Sequence, residues 1–213
     1  MKKDKFLNDI ASIWPLLKDL PRSWNAKKAI TKMKEKNYPH WKQMEWIGFY
    51  FQYLCDERFR GIMKLQQPRY GKMSFDGLIS YPWDFKVHSV NNEKHEVIVN
   101  DREAISMAID EFGATGLILA VGTIVYNDEN RSFQKWHEKL KGGKSKYELA
   151  RIERGAWSRL RKTSFNLEQI SFIKIDAKTL KNSGSFQENF RNSDGIPRRA
   201  KVLIRLNELK EEI

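Results

Sequence analysis

The stretch GKMSFDGLISYPWDFKVHS, residues 71–89, decides how the chain is read. Its side chains alternate with a period of two, the signature of strands whose successive residues point to opposite faces. In the first half Met73, Phe75 and Ile79 share one face, with Ser74 and Asp76 on the other. In the second half Trp83, Phe85 and Val87 stand against Asp84, Lys86 and His88. The Ser80-Tyr81-Pro82 link makes a tight connection, so the two strands pair as an antiparallel hairpin. An acid on one strand then faces an acid, an ammonium and an imidazole on the next, all on the face opposite the apolar side chains.

Outward from the hairpin, the pattern changes period. Residues 44–59 form an apolar helix whose Trp46, Phe49, Tyr50, Tyr53 and Leu54 are spaced to pack on a sheet, with Glu45, Gln52 and Asp56 elsewhere on its surface. Short helices are expected before it at 5–20 and 25–36, the second capped by Ser23 or Asn25. After the hairpin come a turn at 91–94, a strand at 96–100, and a capping box in which Asn100 caps and Glu103 reaches back. A helix striped with Ile105, Ala108, Ile109 and Phe112 ends at Gly113. The run ATGLILAVGTIVY that follows is apolar nearly throughout, as in a strand covered on both faces at the centre of a sheet. Strand, helix and buried strand imply a right-handed crossover. A helix near 131–140, a Gly142-Gly143 turn, a helix broken at Gly155, and strands at 170–177 and 200–206 complete a mixed α/β domain over 1–213.

Composition narrows the partners. No apolar run reaches the roughly 20 residues of a membrane helix, and the first residues, MKKDKFLNDI, turn polar before a secretory core can form, so a cytoplasmic protein with no membrane contact is expected. The single cysteine, Cys55, excludes an internal disulfide and a cysteine-rich zinc site. A formal net charge of +12 gives a field that attracts polyanions. The charge is clustered: seven basic residues lie between Arg22 and Lys42 against Glu35 alone, and eight between Lys141 and Lys162 against Glu148 and Glu153. Segments 22–42, 141–162 and 185–205 are therefore read as elements that bind DNA. Arg151, Arg154, Arg159, Arg161 and Lys162 surround Trp157, while Gln187, Asn189, Asn192, Arg198 and Arg199 add groups able to meet phosphates or base edges. A solvated basic face that serves only solubility is the alternative for any single run.

The acids in the hairpin carry the chemistry. Carboxylates directly opposite each other on paired strands have Cβ atoms about 4.5–5.5 Å apart, close enough to share one hard cation. Mg²⁺ suits them, since it takes one or two carboxylates and fills its shell with water and phosphate oxygens. Lys86 lies about 6.6 Å along the strand from Asp84, where its ammonium can offset charge on a phosphate under attack. The same tripeptide pattern recurs as Asp176-Ala177-Lys178 and Glu208-Leu209-Lys210, but Asp176 sits where a strand ends with no acid between it and Glu168 to share a metal, and Glu208 lies in a charged terminal tail. An exposed cross-strand ion cluster is the competing reading of Asp76, Asp84 and Lys86. His88 is read as a phosphate contact or a partner of a metal-bound water, against a hydrogen-bonded histidine at a strand end.

These elements resemble the PD-(D/E)xK nucleases, and among them the type II restriction endonucleases. The matching parts are the acid of FDG, the DFK tripeptide on the next strand, the helix after it and the apolar strand beyond, within about 44–126; no proline precedes the first acid. The resemblance implies a restriction-endonuclease-like mixed central sheet flanked by helices. It further implies Mg²⁺ held by Asp76 and Asp84, Lys86 assisting the attacking water, and a glutamate of the preceding helix, Glu45 or alternatively Glu57, joining the site. The expected activity is sequence-specific cleavage of double-stranded DNA, and a palindromic target implies a two-fold homodimer. A repair or junction nuclease with the same core, and a DNA- or RNA-binding protein without catalysis, are the rival readings.

Overall fold

The computed structural model describes residues 4–91, 95–156, 159–188 and 197–209. Its centre is β6 (Pro82–Ser89), parallel to β8 (Thr115–Val125) in a register that runs from Trp83 beside Gly116 to Ser89 beside Gly122. β8 in turn pairs antiparallel with the long β9 (Ser164–Ile175). Short strands β1 (Ser23–Asn25), β2 (Lys64–Leu65) and β5 (Gly77–Leu78) finish the sheet in the order β1-β9-β8-β6-β5-β2. Gly116 is required by packing as well as by pattern: a Cβ there would lie 2.3 Å from the Trp83 ring.

Both faces of this mixed sheet are covered, as the unbroken apolar character of β8 demands. On one face lie α1 (Lys5–Leu17), α2 (Ala26–Glu35) and α3 (Trp46–Arg58), packed with Trp24, Phe51, Phe59, Trp83, Phe85 and Phe165. On the other lie α4 (Arg102–Phe112) and a small sheet of β10 (Gly184–Gln187), β11 (Lys201–Arg205) and β7 (Glu96–Asp101), closing over Leu117, Leu119, Ile105, Val99 and Val202. The architecture is thus mixed α/β with a mixed sheet flanked by helices. α5 (Ser132–Lys141), α6 (Lys146–Glu153) and α7 (Ala177–Ser183) occupy the remainder, and Gly142 and Gly143 both take positive φ at the α5 terminus. Among the described residues no helix is long and apolar enough to cross a membrane.

Three local expectations are corrected. Residues 71–80 are not one strand: β4 (Met73–Ser74) pairs with β3 (Arg69–Tyr70), and only Gly77–Leu78 joins the main sheet. Met73 and Phe75 consequently face the α4 core, while Ile79 packs in the other. The break is held by backbone bonds from Phe75 to the Pro68 carbonyl and from Gln66 to the Asp76 carbonyl. The turn that follows is tied to α1, because buried Asp9 accepts from the Ser80 and Tyr81 N–H groups and from the Trp83 indole.

The capping box does not form. Asp101, not Asn100, is the residue before α4, and its side chain makes no cap bond. The Arg102 N–H goes instead to the Ala200 carbonyl, and Glu103 pairs with Arg199. Finally, the strand expected at 170–177 runs from Ser164 to Ile175, because β1 and the last residues of β8, Gly122–Val125, supply pairing that a local pattern does not display.

Candidate active site

Gly77 pairs with Trp83 and Leu78 with Pro82. Beyond that pair the ladder shifts: the Asp76 N–H donates to the Trp83 carbonyl at 2.9 Å, so Asp76 lies at the mouth of the hairpin against the residue that precedes Asp84. There the chains part: the Asp76 carbonyl turns to Gln66, and the Phe85 N–H is met by the Asp76 carboxylate, Oδ2, at 2.7 Å. Oδ1 of the same carboxylate accepts from Gln52 Nε2 of α3, also at 2.7 Å. Both oxygens of Asp76 are therefore aimed by fixed donors. One turn further along α3, Asp56 accepts from the Tyr38 hydroxyl at 2.9 Å, and burial together with the nearby Asp76 charge pushes it up to about 6 against the Tyr38 bond.

Asp84 is only 2% exposed. Its Oδ1 lies 3.5 Å from Asn100 Nδ2, and its Oδ2, fully shielded from water, has no hydrogen-bond partner among the described residues. The Lys86 ammonium stands 3.9 Å from that oxygen. Burial pushes the Asp84 carboxyl up to about 6; Lys86, Lys201 and Asn100 pull the other way, and Asp76 adds to the rise. Asp76 is raised by burial too, against the attraction of Lys86 and the Phe85 N–H. Lys86 is held above its ordinary value, because the two carboxylates outweigh the cost of burying its charge. The face carrying these groups is not open to solvent as the alternation implied. Asn100 at the end of β7 and the Lys201–Asp101 pair of the small sheet close over it, so the exposed ion cluster is not what forms.

Among the described residues no group of three or more His, Cys, Asp or Glu is arranged to hold a metal. Any cation would thus rest on the two carboxylates and complete its shell with water and substrate oxygens, which is ordinary practice for Mg²⁺. The donor set fits such an ion: Asp84 Oδ2 is a buried anionic oxygen with an unused lone pair, and Asp76 is fixed beside it. Structural carboxylates usually fill such positions, since leaving a buried acceptor unpaired costs about 1–3 kcal/mol.

Several expected site residues lie elsewhere. Glu45 precedes the first turn of α3 and pairs with Lys162, next to the Trp46 indole bond to the Lys162 carbonyl. Glu57 pairs with Arg60. The α3 side chain that reaches the hairpin acid is Gln52, two helical turns, about 10 Å, beyond Glu45 on nearly the same stripe. His88 is buried, 5% exposed, and burial together with the neighbouring His95 lowers its pKa from the ordinary imidazole value. Asp176 caps α7 by accepting from the Thr179 N–H at 2.9 Å, and Glu208 pairs with Arg205, which gives both alternative tripeptide acids structural tasks.

The basic residues also divide. Arg161 is buried, 3.3 Å from Glu148, and pins α6 to the body; it is a structural cation rather than a DNA contact. Lys162 is engaged by Glu45, and Arg199 by Glu103 at 3.1 Å. Arg151 is half-buried in α6, whereas Arg154, Arg159 and Arg198 are exposed. On the other side of α3, Lys32 lies over the Tyr53 ring, and Lys34 and Lys42 both lie 5.3 Å from the Trp41 ring centre. Trp157, Asn189 and Asn192 fall outside the described residues.

Two facing carboxylates with an ammonium beside them can grip a divalent cation and present a proton donor to an anionic oxygen held against it. No family model, curated protein or solved structure matches the chain.

Proposed function

We propose that this chain is a Mg²⁺-dependent endonuclease of the PD-(D/E)xK kind, cutting double-stranded DNA at a defined sequence. One observation carries the reading: a buried Asp84 oxygen without a hydrogen bond among the described residues, within the field of Asp76 and 3.9 Å from Lys86. A buried carboxylate oxygen whose nearest cation is a Lys86 ammonium 3.9 Å away supports a ligand role for Asp84. Asp76 and Asp84 would hold the ion, and Mg²⁺ when bound would polarise the phosphate and lower the pKa of its water. Gln52 and the Phe85 N–H keep Asp76 aimed. Lys86, kept charged by both acids, orients the attacking water and offsets the negative charge that grows on the phosphate oxygens. The net charge of +12, with exposed Arg154, Arg159 and Arg198, supports a polyanionic substrate.

The test is digestion of a plasmid of known sequence with Mg²⁺ and with EDTA, followed by mapping of the ends. Discrete bands that vanish in EDTA are expected. Preference for branched or damaged DNA would move the assignment to a repair enzyme with the same core, and binding without cleavage would leave a non-catalytic nucleic-acid-binding protein.

A further inference from the structure

β9 is 12 residues long, yet β1 covers only Ser164–Asn166 of its outer edge. The Leu167 N–H and the Glu168 carbonyl are then met by Arg22. From Gln169 to Ile173 the strand is paired with β8 on its inner side, and among the described residues no strand lies on its outer side. Open edges are normally guarded by charge, proline or a covering loop. The segment Gln169-Ile170-Ser171-Phe172-Ile173 has no charge and no proline, and Ile170 and Phe172 are only partly buried. Trp14, 44% exposed, stands edge-on to Phe172 at 6.4 Å and extends the apolar border into a groove shared with Leu17 and Leu20.

We infer that this edge pairs antiparallel with the same edge of a second copy, with the two-fold axis at Ser171, joining the two sheets into one. The segment is complementary to itself in that register. Ile170 meets the partner's Phe172, Gln169 meets the partner's Ile173, and Ser171 meets its own copy. The charges agree: Glu168 stands three residues before the axis and Lys174 three after it, so each acidic end runs beside the basic end of the other copy. Parallel pairing would set like ends together. On a chain of net charge +12, the five residues themselves carry no charge, and the cations nearest them in the groove are Lys18 and Arg22. A two-fold assembly built this way is closed, and leaves the site on β6 free in each copy.

Sedimentation of the purified chain, without DNA or metal, should show a concentration-dependent dimer. Ser171→Cys should cross-link it on mild oxidation, because residues directly opposite on antiparallel strands bring their Cβ atoms near disulfide range, and native Cys55 is buried. Gln169→Cys, whose opposite number is Ile173, should not cross-link. Ser171→Lys sets two like charges on the axis and should weaken the dimer roughly tenfold or more, with an unchanged circular dichroism spectrum showing that the fold is kept. A wild-type chain that stays monomeric, or a dimer that survives Ser171→Lys and cross-links equally at 169 and 171, overturns the inference. Because mass is read without substrate, a monomer that cuts DNA would refute the interface alone, and an inactive dimer would refute the nuclease reading alone.

Discussion

Gln52 on α3 donates to Asp76 on the hairpin at 2.7 Å, so a helix amide fixes the direction of a carboxylate that lies 24 residues further along the chain. Removing that donor leaves Asp76 with the Phe85 N–H alone. Groups that orient a metal ligand typically matter by ten- to hundredfold in affinity, so Gln52→Ala should weaken Mg²⁺ binding by about that factor in a calorimetric titration. Gln52→Glu would set a second carboxylate against Asp76 and move the activity profile to higher pH. If Gln52→Ala binds Mg²⁺ as the parent does, the amide serves packing only.

The pH dependence follows from burial. Asp84 and Asp56 are each pushed up to about 6, above the ordinary carboxylate range of the unfolded chain. The folded state therefore binds these protons more tightly. Their contribution to stability is full below about pH 4 and is lost as pH rises through about 6. Urea denaturation should show metal-free stability falling across that window, and Asp84→Asn should remove part of the fall. Cleavage should run the other way, rising as Asp84 ionises, with a midpoint that drops as Mg²⁺ increases because metal competes with the proton. A midpoint indifferent to Mg²⁺ would separate Asp84 from the metal.

The part of the site that a local pattern encodes is readable: Asp84 and Lys86 share one face of a strand, and an eight-residue spacing around a tight link brings Asp76 to the mouth of the same hairpin. What covers that face was not. β7 and β11 come together from residues about a hundred positions apart, and strand alternation carries no trace of such pairing. Glu45 and Gln52 illustrate a second limit. They lie two turns apart on one helical stripe, so periodicity cannot choose between them, and a carboxylate looks the better ligand. The choice depends on where the hairpin crosses α3. At Asn100 and Asp101 two good capping residues adjoin, and the distant segment at Ala200, which accepts the Arg102 N–H, decides the outcome.

Lys86 is the residue whose removal should separate binding from chemistry. Its ammonium is 3.9 Å from Asp84 Oδ2 and in the field of Asp76. Lys86→Gln should lower the cleavage rate by about 10²–10³-fold, the range for losing one preorganised charge-stabilising donor, while DNA affinity in gel shift remains close to that of the parent. With the ammonium gone, Asp84 should titrate higher still, which fluorescence-monitored denaturation would register as a shifted stability profile. Full activity in this variant would take Lys86 out of the mechanism.

Asp176 offers the contrasting case, since it belongs to the same short pattern but has a local task. Its carboxylate caps α7 through the Thr179 N–H, and although burial pushes it up, that bond and the Thr179 hydroxyl hold it below its ordinary value. Asp176→Ala should cost about 0.5–2 kcal/mol, the usual loss of an N-cap, and leave cleavage by the folded protein unchanged. Loss of activity here with Asp84→Asn still active would relocate the site to the second tripeptide.

The two kinds of arginine should respond to different measurements. Arg161 is buried against Glu148, so Arg161→Ala removes the cation from a buried carboxylate that keeps its Gln134 bond and should destabilise the fold by about 1–3 kcal/mol. Any effect on DNA binding would then follow from unfolding of the α6 region. Arg154 and Arg159 are exposed, and their replacement by Ala should leave the melting temperature in place. If each neutralises one phosphate, each loss should reduce the slope of log K against log salt by about 0.9. A slope that changes with Arg161→Ala under fully folding conditions, and not with the exposed pair, would assign DNA contact to the buried cation and reverse the division drawn from burial.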